Sequence, residues 1–315
     1  MKSSPALTLG LLLAGTACAL AQTRPASVRS IFDDMPAGQR AVYEPRGMRL
    51  WDHGAPGAKG DGWLDTPELF PASAAHPGGK LPAIVVFPGG GYTYLSGWEG
   101  FPIAEHFRDL GLAAFVLRYR LAPTYSQEDS LHDAQRAIRL LRAHAADLGI
   151  DPARIAAIGF SAGGHLAANL ATHGDDGDPQ AADPVDRQSC RIQTGLLIYP
   201  GILAKKPVRD TEDDRDIAKF MQLPGLQHSV DAKTAPCFMI VGYQDRKALR
   251  EHDLAFAAAL EKANVRFELH ILGMGDHGFS MRVRDPRLQI WQQLAANWLT
   301  TFNFLPEPVF SGPRQ

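Results

Sequence analysis

One stretch, residues 155–165, constrains the fold more than any other part of the chain. An apolar run at 155–158 leads into Gly159-Phe160-Ser161-Ala162-Gly163, and small residues follow. This order predicts a buried strand, a sharp turn and a helix, and the turn fits the pattern G-x-S-x-G. Glycines two residues before and after the serine leave room for a tight corner, so that its hydroxyl stands clear of the backbone. We therefore predict Ser161 as a nucleophile.

Strands alternate with helices along the rest of the sequence. Apolar runs with β-branched residues predict strands at 81–87, 112–117, 195–199, 238–241 and 267–272. Amphipathic or apolar runs predict helices at 102–110, 126–146, 249–263 and 288–302. With 315 residues and 45% apolar content, the chain is long enough for one large domain. The alternation predicts an α/β fold, a mostly parallel sheet with helices on both faces.

Composition divides the chain into four parts. Residues 1–21 are predicted to form a signal peptide that is cleaved after Ala21. Lys2 gives its positive start, an apolar run follows, and Ala19-Leu20-Ala21 is the small-residue cleavage site. Residues 22–46 are polar and mixed, and we expect an extended N-terminal arm lying on the domain. The α/β domain covers 47–305, starting with a candidate edge strand at 48–51, and 306–315 is a loose tail. Inside the domain, the charged segment 205–231 is long for a plain loop and is a candidate cap insertion.

The signal peptide predicts a periplasmic or secreted protein with no membrane anchor in its mature form. The net charge of −2 gives no electrostatic reason to expect a nucleic-acid partner. After cleavage two cysteines remain, Cys190 and Cys237. A disulfide between them and a pair of buried free thiols both stay open, since an exported chain meets an oxidising environment.

A nucleophilic serine needs a base and a third group that orients the base. In an open α/β sheet such groups gather beyond the carboxyl ends of the strands, so the loops that directly follow predicted strands are the places to search. Asp245 follows the strand at 238–241, and His277 follows the strand at 267–272. The chain order Ser161, Asp245, His277 is that of an α/β-hydrolase triad. Asp276 and Asp253 are rival candidates for the acid.

A glycine run follows the strand at 81–87 and is a candidate oxyanion hole. A tetrahedral intermediate carries negative charge on oxygen, which preorganised N–H donors stabilise. The backbone N–H groups of Gly90 or Gly91, together with that of Ala162 at the start of the helix, are the predicted donors. The sequence shows no metal-spaced Cys/His cluster and no phosphate loop.

Three residues beyond the glycine run are candidates for substrate binding. Tyr92 and Trp98 offer aromatic faces of the kind that stack on sugars, although buried packing is the usual role of such rings. Glu99 is a candidate for contacting substrate or for holding the glycine loop, and a helix-start acid is an equally good interpretation. His165, one turn into the elbow helix, is a candidate hydrogen-bond partner of the oxyanion loop.

Several segments match one family. They are residues 50–51, 54–57, 87–92, 118–123, 133–139, 159–167, 199–201, 242–245 and 276–278. Together they resemble the secreted bacterial α/β-hydrolase esterases of the polysaccharide acetylesterase and acetylxylan-esterase-like group, which are relatives of hormone-sensitive-lipase-type carboxylesterases. The resemblance covers about residues 49–302, nearly the whole predicted mature chain.

The resemblance implies a serine esterase that removes acetyl groups from plant polysaccharides of the xylan, xyloglucan or pectin type, without cofactor or metal. It implies that Ser161 attacks the ester carbonyl and that His277 protonates the leaving sugar oxygen. Lipase-like relatives carry His-Gly-Gly-Gly where this chain has Pro88 before its glycines, and proline removes a side-chain donor. That departure favours a carbohydrate substrate. A general carboxylesterase or lipase, a feruloyl esterase and a non-catalytic binding protein remain as alternatives.

Overall fold

The computed structural model describes residues 28–73, 75–202, 225–245 and 250–307. The predicted signal peptide at 1–21, residues 205–224 of the candidate cap and residues 308–315 of the tail lie outside the described residues. None of the helices within the described ranges is long and apolar enough to cross a membrane.

An eight-stranded sheet forms the centre of the fold. Its strands are β1 (Met48–Arg49), β2 (Glu68–Pro71), β3 (Leu81–Phe87), β4 (Ala113–Arg118), β5 (Ile150–Phe160), β6 (Thr194–Ile198), β7 (Cys237–Gly242) and β8 (Phe267–Leu272). Their spatial order is β1-β2-β4-β3-β5-β6-β7-β8. The pairs β1/β2 and β2/β4 are antiparallel and all other neighbours are parallel. The prediction of a mostly parallel α/β sheet is confirmed, and β5, which leads into Ser161, lies in its middle.

Seven α-helices lie in the described ranges, and most of them connect strands of the sheet. They are α1 (Ala37–Tyr43), α2 (Phe101–Asp109), α3 (Gln127–Ala143), α4 (Ala145–Leu148), α5 (Ala162–Thr172), α6 (Arg250–Lys262) and α7 (Pro286–Thr300). A capping box starts α3, where the Ser126 side chain accepts from the Asp129 N–H and the Asp129 carboxylate accepts from the Ser126 N–H. The single helix predicted at 126–146 is divided at His144, which is the C-cap of α3 and the N-cap of α4. The short helix α4 then ends at Gly149, which has the left-handed conformation typical of a helix C-terminus.

The interior strands are buried along almost their whole length. All residues of β4, β6 and β7 are buried, as are six of the seven residues of β3. Such continuous apolar runs are typical of parallel strands that are covered on both faces. The buried strands therefore fix the positions at which the loops at the carboxyl edge of the sheet begin.

The N-terminal arm differs from the extended segment that we predicted. Residues 37–43 form α1, and Ile31 and Phe32 belong to the same hydrophobic core as the sheet. The Phe32 ring lies 5.2 Å from that of Phe70 and 5.4 Å from that of Phe101. The described part of the arm thus packs into the domain by burying apolar side chains. The average composition of the arm is polar and did not predict this burial.

Cys190 and Cys237 are free thiols, and both are buried. Cys190 Sγ accepts a hydrogen bond from the Asp175 N–H, and the Cys237 thiol donates to the Ala235 carbonyl, each at 3.2 Å. Burial raises the pKa of the Cys237 thiol to about 12. The sequence left a disulfide and a pair of buried free thiols open, and the structure shows the buried free thiols.

Candidate active site

The serine corner is strained and closely packed. Ser161 follows β5 and caps α5 with φ 53° and ψ −116°, a backbone conformation that costs about 1–3 kcal/mol outside glycine. Its N–H donates to the Ile198 carbonyl at 3.0 Å. A Cβ on Gly159 would lie 1.9 Å from the Gly163 oxygen, and a Cβ on Gly163 would lie 2.0 Å from the Phe87 oxygen. Both flanking glycines are therefore required by the close approach of backbone to backbone.

The three residues predicted as a triad form one hydrogen-bonded chain. Ser161 Oγ lies 2.7 Å from His277 Nε2, and His277 Nδ1 lies 2.8 Å from Asp245 Oδ2. The Asp245 side chain is fully buried, whereas 18% of the His277 side chain is exposed. A carboxylate only accepts, so Nδ1 carries the imidazole proton and Nε2 accepts from the serine hydroxyl. This is the arrangement in which a histidine takes a proton from serine.

The rival acids occupy other places. Asp276 Oδ1 accepts from the backbone N–H of His277 at 2.8 Å, so it shapes the loop that carries the histidine. Asp253 lies on α6, fully buried, and neither of its carboxyl oxygens has a hydrogen-bond partner in the described parts of the chain. Burial, and to a lesser degree the charge of Asp245, raises the pKa of Asp253 well above its usual range.

Replacing Asp253 with alanine is expected to stabilise the protein at neutral pH. Because its folded-state pKa lies above the unfolded value of about 3.9, this carboxyl lowers the free energy of unfolding as the pH rises above about 4. Removing two buried carboxyl oxygens that have no hydrogen-bond partner in the described residues should gain about 1–3 kcal/mol at pH 7, and the gain should shrink towards pH 4. Urea unfolding at pH 4, 5.5 and 7 measures it. Glu251→Ala, exposed on the same helix, is the matched control. A gain that does not change with pH would contradict this assignment.

The glycine loop after β3 reaches the nucleophile. A Cβ on Gly89 would lie 3.0 Å from the Ser161 Cβ. Gly90 has φ 132° and Gly91 has φ 61°, and a Cβ on Gly90 would lie 2.1 Å from the Tyr94 oxygen. Neither N–H of this glycine pair donates to an acceptor within the described residues.

The third predicted donor directly follows the serine in sequence. Ala162 is the first residue of α5, where an N–H has no partner within its own helix. The predicted oxyanion donors Gly90, Gly91 and Ala162 therefore belong to the two segments that adjoin Ser161. The positive end of the α5 dipole adds to their attraction for a negative oxygen.

Tyr92 does not have the predicted substrate-binding role. Its side chain is 1% exposed, and its hydroxyl lies 2.8 Å from His165 Nδ1. The ring also meets that of Tyr119 edge to face at 5.9 Å. Burial lowers the pKa of His165 to about 4, so this imidazole is a neutral partner. No face of the Tyr92 ring is left for a sugar; the tyrosine attaches the glycine loop to α5.

Glu99 is also buried rather than open to substrate. It is 6% exposed, its Oε2 accepts from the Gly89 N–H at 3.0 Å and its Oε1 accepts from the Tyr199 hydroxyl at 2.7 Å. The prediction of a substrate contact is wrong. The two hydrogen bonds instead fit the alternative role, in which Glu99 holds the glycine loop. Trp98 is 41% exposed beside a small cavity that the arm and α2 also line, and its role in substrate binding stays a prediction.

Sequence reasoning missed two tyrosines at the site. Tyr199 follows β6 directly, is fully buried, and its ring centroid lies 4.9 Å from that of His277. Its place directly after a strand was a signal for the site, but a tyrosine is neither the base nor the acid of a triad. Tyr94 is 37% exposed, and a Cβ on Gly90 would lie 3.0 Å from its ring atom Cδ2. Within the described ranges no cluster of three metal-ligating side chains occurs.

The chain is similar to several known enzymes. The BD-FAE family model matches residues 72–196. Endo-1,4-beta-xylanase B of Butyrivibrio fibrisolvens is 31% identical over 213 residues, which are 64% of this chain and 33% of that protein. Acetylxylan esterase of Xylanibacter ruminicola is 28% identical over 249 residues, 74% of this chain and 47% of that protein. The chain thus spans between a third and a half of these two relatives.

A solved structure covers more of the chain. The acetyl ester-xyloside bifunctional hydrolase from Caldicellulosiruptor lactoaceticus is 35% identical, with a TM-score of 0.73. The match covers 82% of this chain and 97% of that one. At this identity and coverage the likeness concerns the family as well as the fold.

Proposed function

The chain belongs to the α/β-hydrolase esterases of the acetylxylan-esterase-like group, relatives of hormone-sensitive-lipase-type carboxylesterases, and we propose that it removes acetyl groups from plant polysaccharides or their oligosaccharides. The family makes it a carboxylic ester hydrolase. The observation that carries the proposal is the chain of hydrogen bonds from Ser161 through His277 to Asp245, beside the glycine loop.

In the proposed reaction His277 Nε2 takes the proton of Ser161 as Oγ attacks the acetyl carbonyl carbon. The carbonyl oxygen becomes an oxyanion, which accepts from the N–H groups of Ala162 and of Gly90 or Gly91. The ester bond then breaks as Nε2 gives its proton to the leaving sugar oxygen. Water, deprotonated by Nε2, attacks the acetyl-serine, and acetate leaves as Oγ regains a proton. Asp245 stabilises the imidazolium in both halves. The proposal includes no cofactor or metal.

Two observations support a carbohydrate substrate. The relatives named above include an acetylxylan esterase and an acetyl ester-xyloside hydrolase. In addition, Pro88 occupies the place before the glycines, and its carbonyl accepts from the Tyr119 hydroxyl at 2.6 Å. That place offers no side-chain donor to an ester. We propose acetylated xylan, xyloglucan or pectin as the substrate class.

Acetyl esters are expected to be the best substrates of an acyl-length series. A short acyl site should reject each added methylene by about tenfold or more in kcat/KM, so aryl acetate should exceed aryl butyrate by about 10². Acetate release from acetylated xylan, xyloglucan and pectin oligosaccharides then identifies the sugar, with Ser161→Ala defining the background. A preference for longer chains would instead support the carboxylesterase or lipase alternative, and ferulate release would support a feruloyl esterase.

A further inference from the structure

Glu99 is a buried carboxylate beside the catalytic centre that the proposed triad does not use. We propose that Glu99 is a positioning residue, which joins the oxyanion loop to the loop of His277 and places a second negative charge near that histidine. The proposal rests on the proposed function, because it assigns Glu99 a part in the same reaction.

The first half of the connection reaches the oxyanion loop. Glu99 Oε2 accepts from the Gly89 N–H at 3.0 Å, and Gly89 directly precedes the predicted donors of the oxyanion hole. A Cβ on Gly89 would lie 2.5 Å from that Oε2 and 3.0 Å from the Ser161 Cβ. The carboxylate therefore lies close to the serine, and it fixes the Pro88–Gly89 peptide, which directly precedes the peptide that carries the Gly90 N–H.

The second half reaches the histidine through Tyr199. The Tyr199 hydroxyl donates to Glu99 Oε1 at 2.7 Å and accepts from the Ser280 N–H at 3.2 Å. The Tyr199 ring meets the His277 ring at 4.9 Å and the Phe279 ring at 4.7 Å, both edge to face. One phenol thus contacts the beginning and the end of the segment 277–280. Two hydrogen bonds that Glu99 accepts, one from the Gly89 N–H and one from the Tyr199 hydroxyl, therefore connect the two catalytic loops.

The hydrogen-bond partners of Glu99 match an anion that acts on the histidine. Its two partners both donate, which matches an ionised carboxylate. Burial raises the pKa of Glu99 above its usual value, and the Tyr199 hydrogen bond, the positive charge that His277 gains on protonation and the Gly89 N–H only partly offset that rise. The other ionisable groups facing it are the phenols of Tyr94 and Tyr119, and burial keeps both protonated by raising their pKa values. By reciprocity, the Glu99 charge stabilises the imidazolium that forms when Ser161 loses its proton.

Glu99→Gln tests the charge with nearly unchanged shape. In hydrolysis of an aryl acetate we expect kcat to fall by about 10–100-fold with KM nearly unchanged. Losing the negative charge also makes the imidazolium harder to form, so the acid limb of the kcat/KM profile should move to lower pH by about half a unit. Glu105→Gln is the matched control: Glu105 Oε1 accepts from the Tyr43 hydroxyl at 2.7 Å and from Gln39 Nε2 at 2.6 Å, away from the triad. It should leave kcat and the acid limb unchanged.

Tyr199→Phe separates the connection from the charge. It keeps the ring against His277 but removes the hydroxyl, so we expect kcat to fall by about tenfold while the acid limb stays in place. Thermal unfolding confirms that each variant is folded. A Glu99→Gln variant with wild-type kcat, or with a lower kcat but an unmoved acid limb, would overturn the proposal. Failure of the wild type to cleave any ester would instead remove the proposed function itself.

Discussion

Replacing Ser161 with alanine is expected to lower kcat for acetyl-ester hydrolysis by about 10⁴-fold or more. The alanine has no Oγ to attack the carbonyl, and the Oγ that lies 2.7 Å from His277 Nε2 is the group that the glycine loop and α5 surround. What activity remains would come from the oxyanion donors acting on a water molecule. Stopped-flow or steady-state release of the aryl alcohol measures the loss, and folding is checked by circular dichroism.

Ser126→Ala is the matched control for this loss. Ser126 caps α3 through its hydroxyl, so the variant should lose about 1 kcal/mol of stability without a change in kcat. A comparable loss of activity in both variants would mean that stability, rather than chemistry, explains the Ser161 result. Activity retained by Ser161→Ala would contradict the assignment of the nucleophile.

The elbow and the triad were predictable because each depends on short-range sequence or on one rule of topology. Two glycines that flank a serine between an apolar run and a helix are compatible with few backbone conformations other than this tight turn. The structure shows the reason, because a Cβ at Gly159 has no room. Asp245 and His277 were found because parallel strands deliver their following loops to one edge. The same logic gave the parallel order of the sheet, but not its antiparallel edge, since β2 has only four residues and ends in proline.

The buried network around Glu99 could not be predicted, since its partners come from separate elements. Tyr199 is 100 residues away in the sequence, and nothing local determines that its hydroxyl meets this carboxylate. The pattern of aromatic residues likewise did not distinguish the buried Tyr92 from the exposed Trp98. Tyr92 is buried with φ 63°, and its hydroxyl contacts His165, which lies 73 residues away on α5. Sequence thus specified the reacting groups, whereas packing specified what holds them.

Asp245→Asn is expected to lower kcat by about 10⁴-fold while leaving the fold intact. An asparagine amide that donates to His277 Nδ1 would place the imidazole proton on Nε2, where it cannot accept from Ser161. It would also leave the imidazolium without the buried carboxylate that now lies 2.8 Å away. The neighbouring Asp253 is not a substitute, because it has no hydrogen bond to the histidine and its raised pKa favours the neutral form.

Asp276→Asn provides the comparison for Asp245→Asn, because it changes the acid next to the histidine in sequence. Asp276 accepts only the His277 backbone N–H among the described contacts, and an asparagine oxygen can accept the same bond. We therefore expect a change of less than about tenfold in kcat, measured on the same aryl acetate. If Asp276→Asn proved as inactive as Ser161→Ala while Asp245→Asn stayed active, the acid of the triad would be Asp276, and the hydrogen bond seen from Asp245 would serve only to hold the loop.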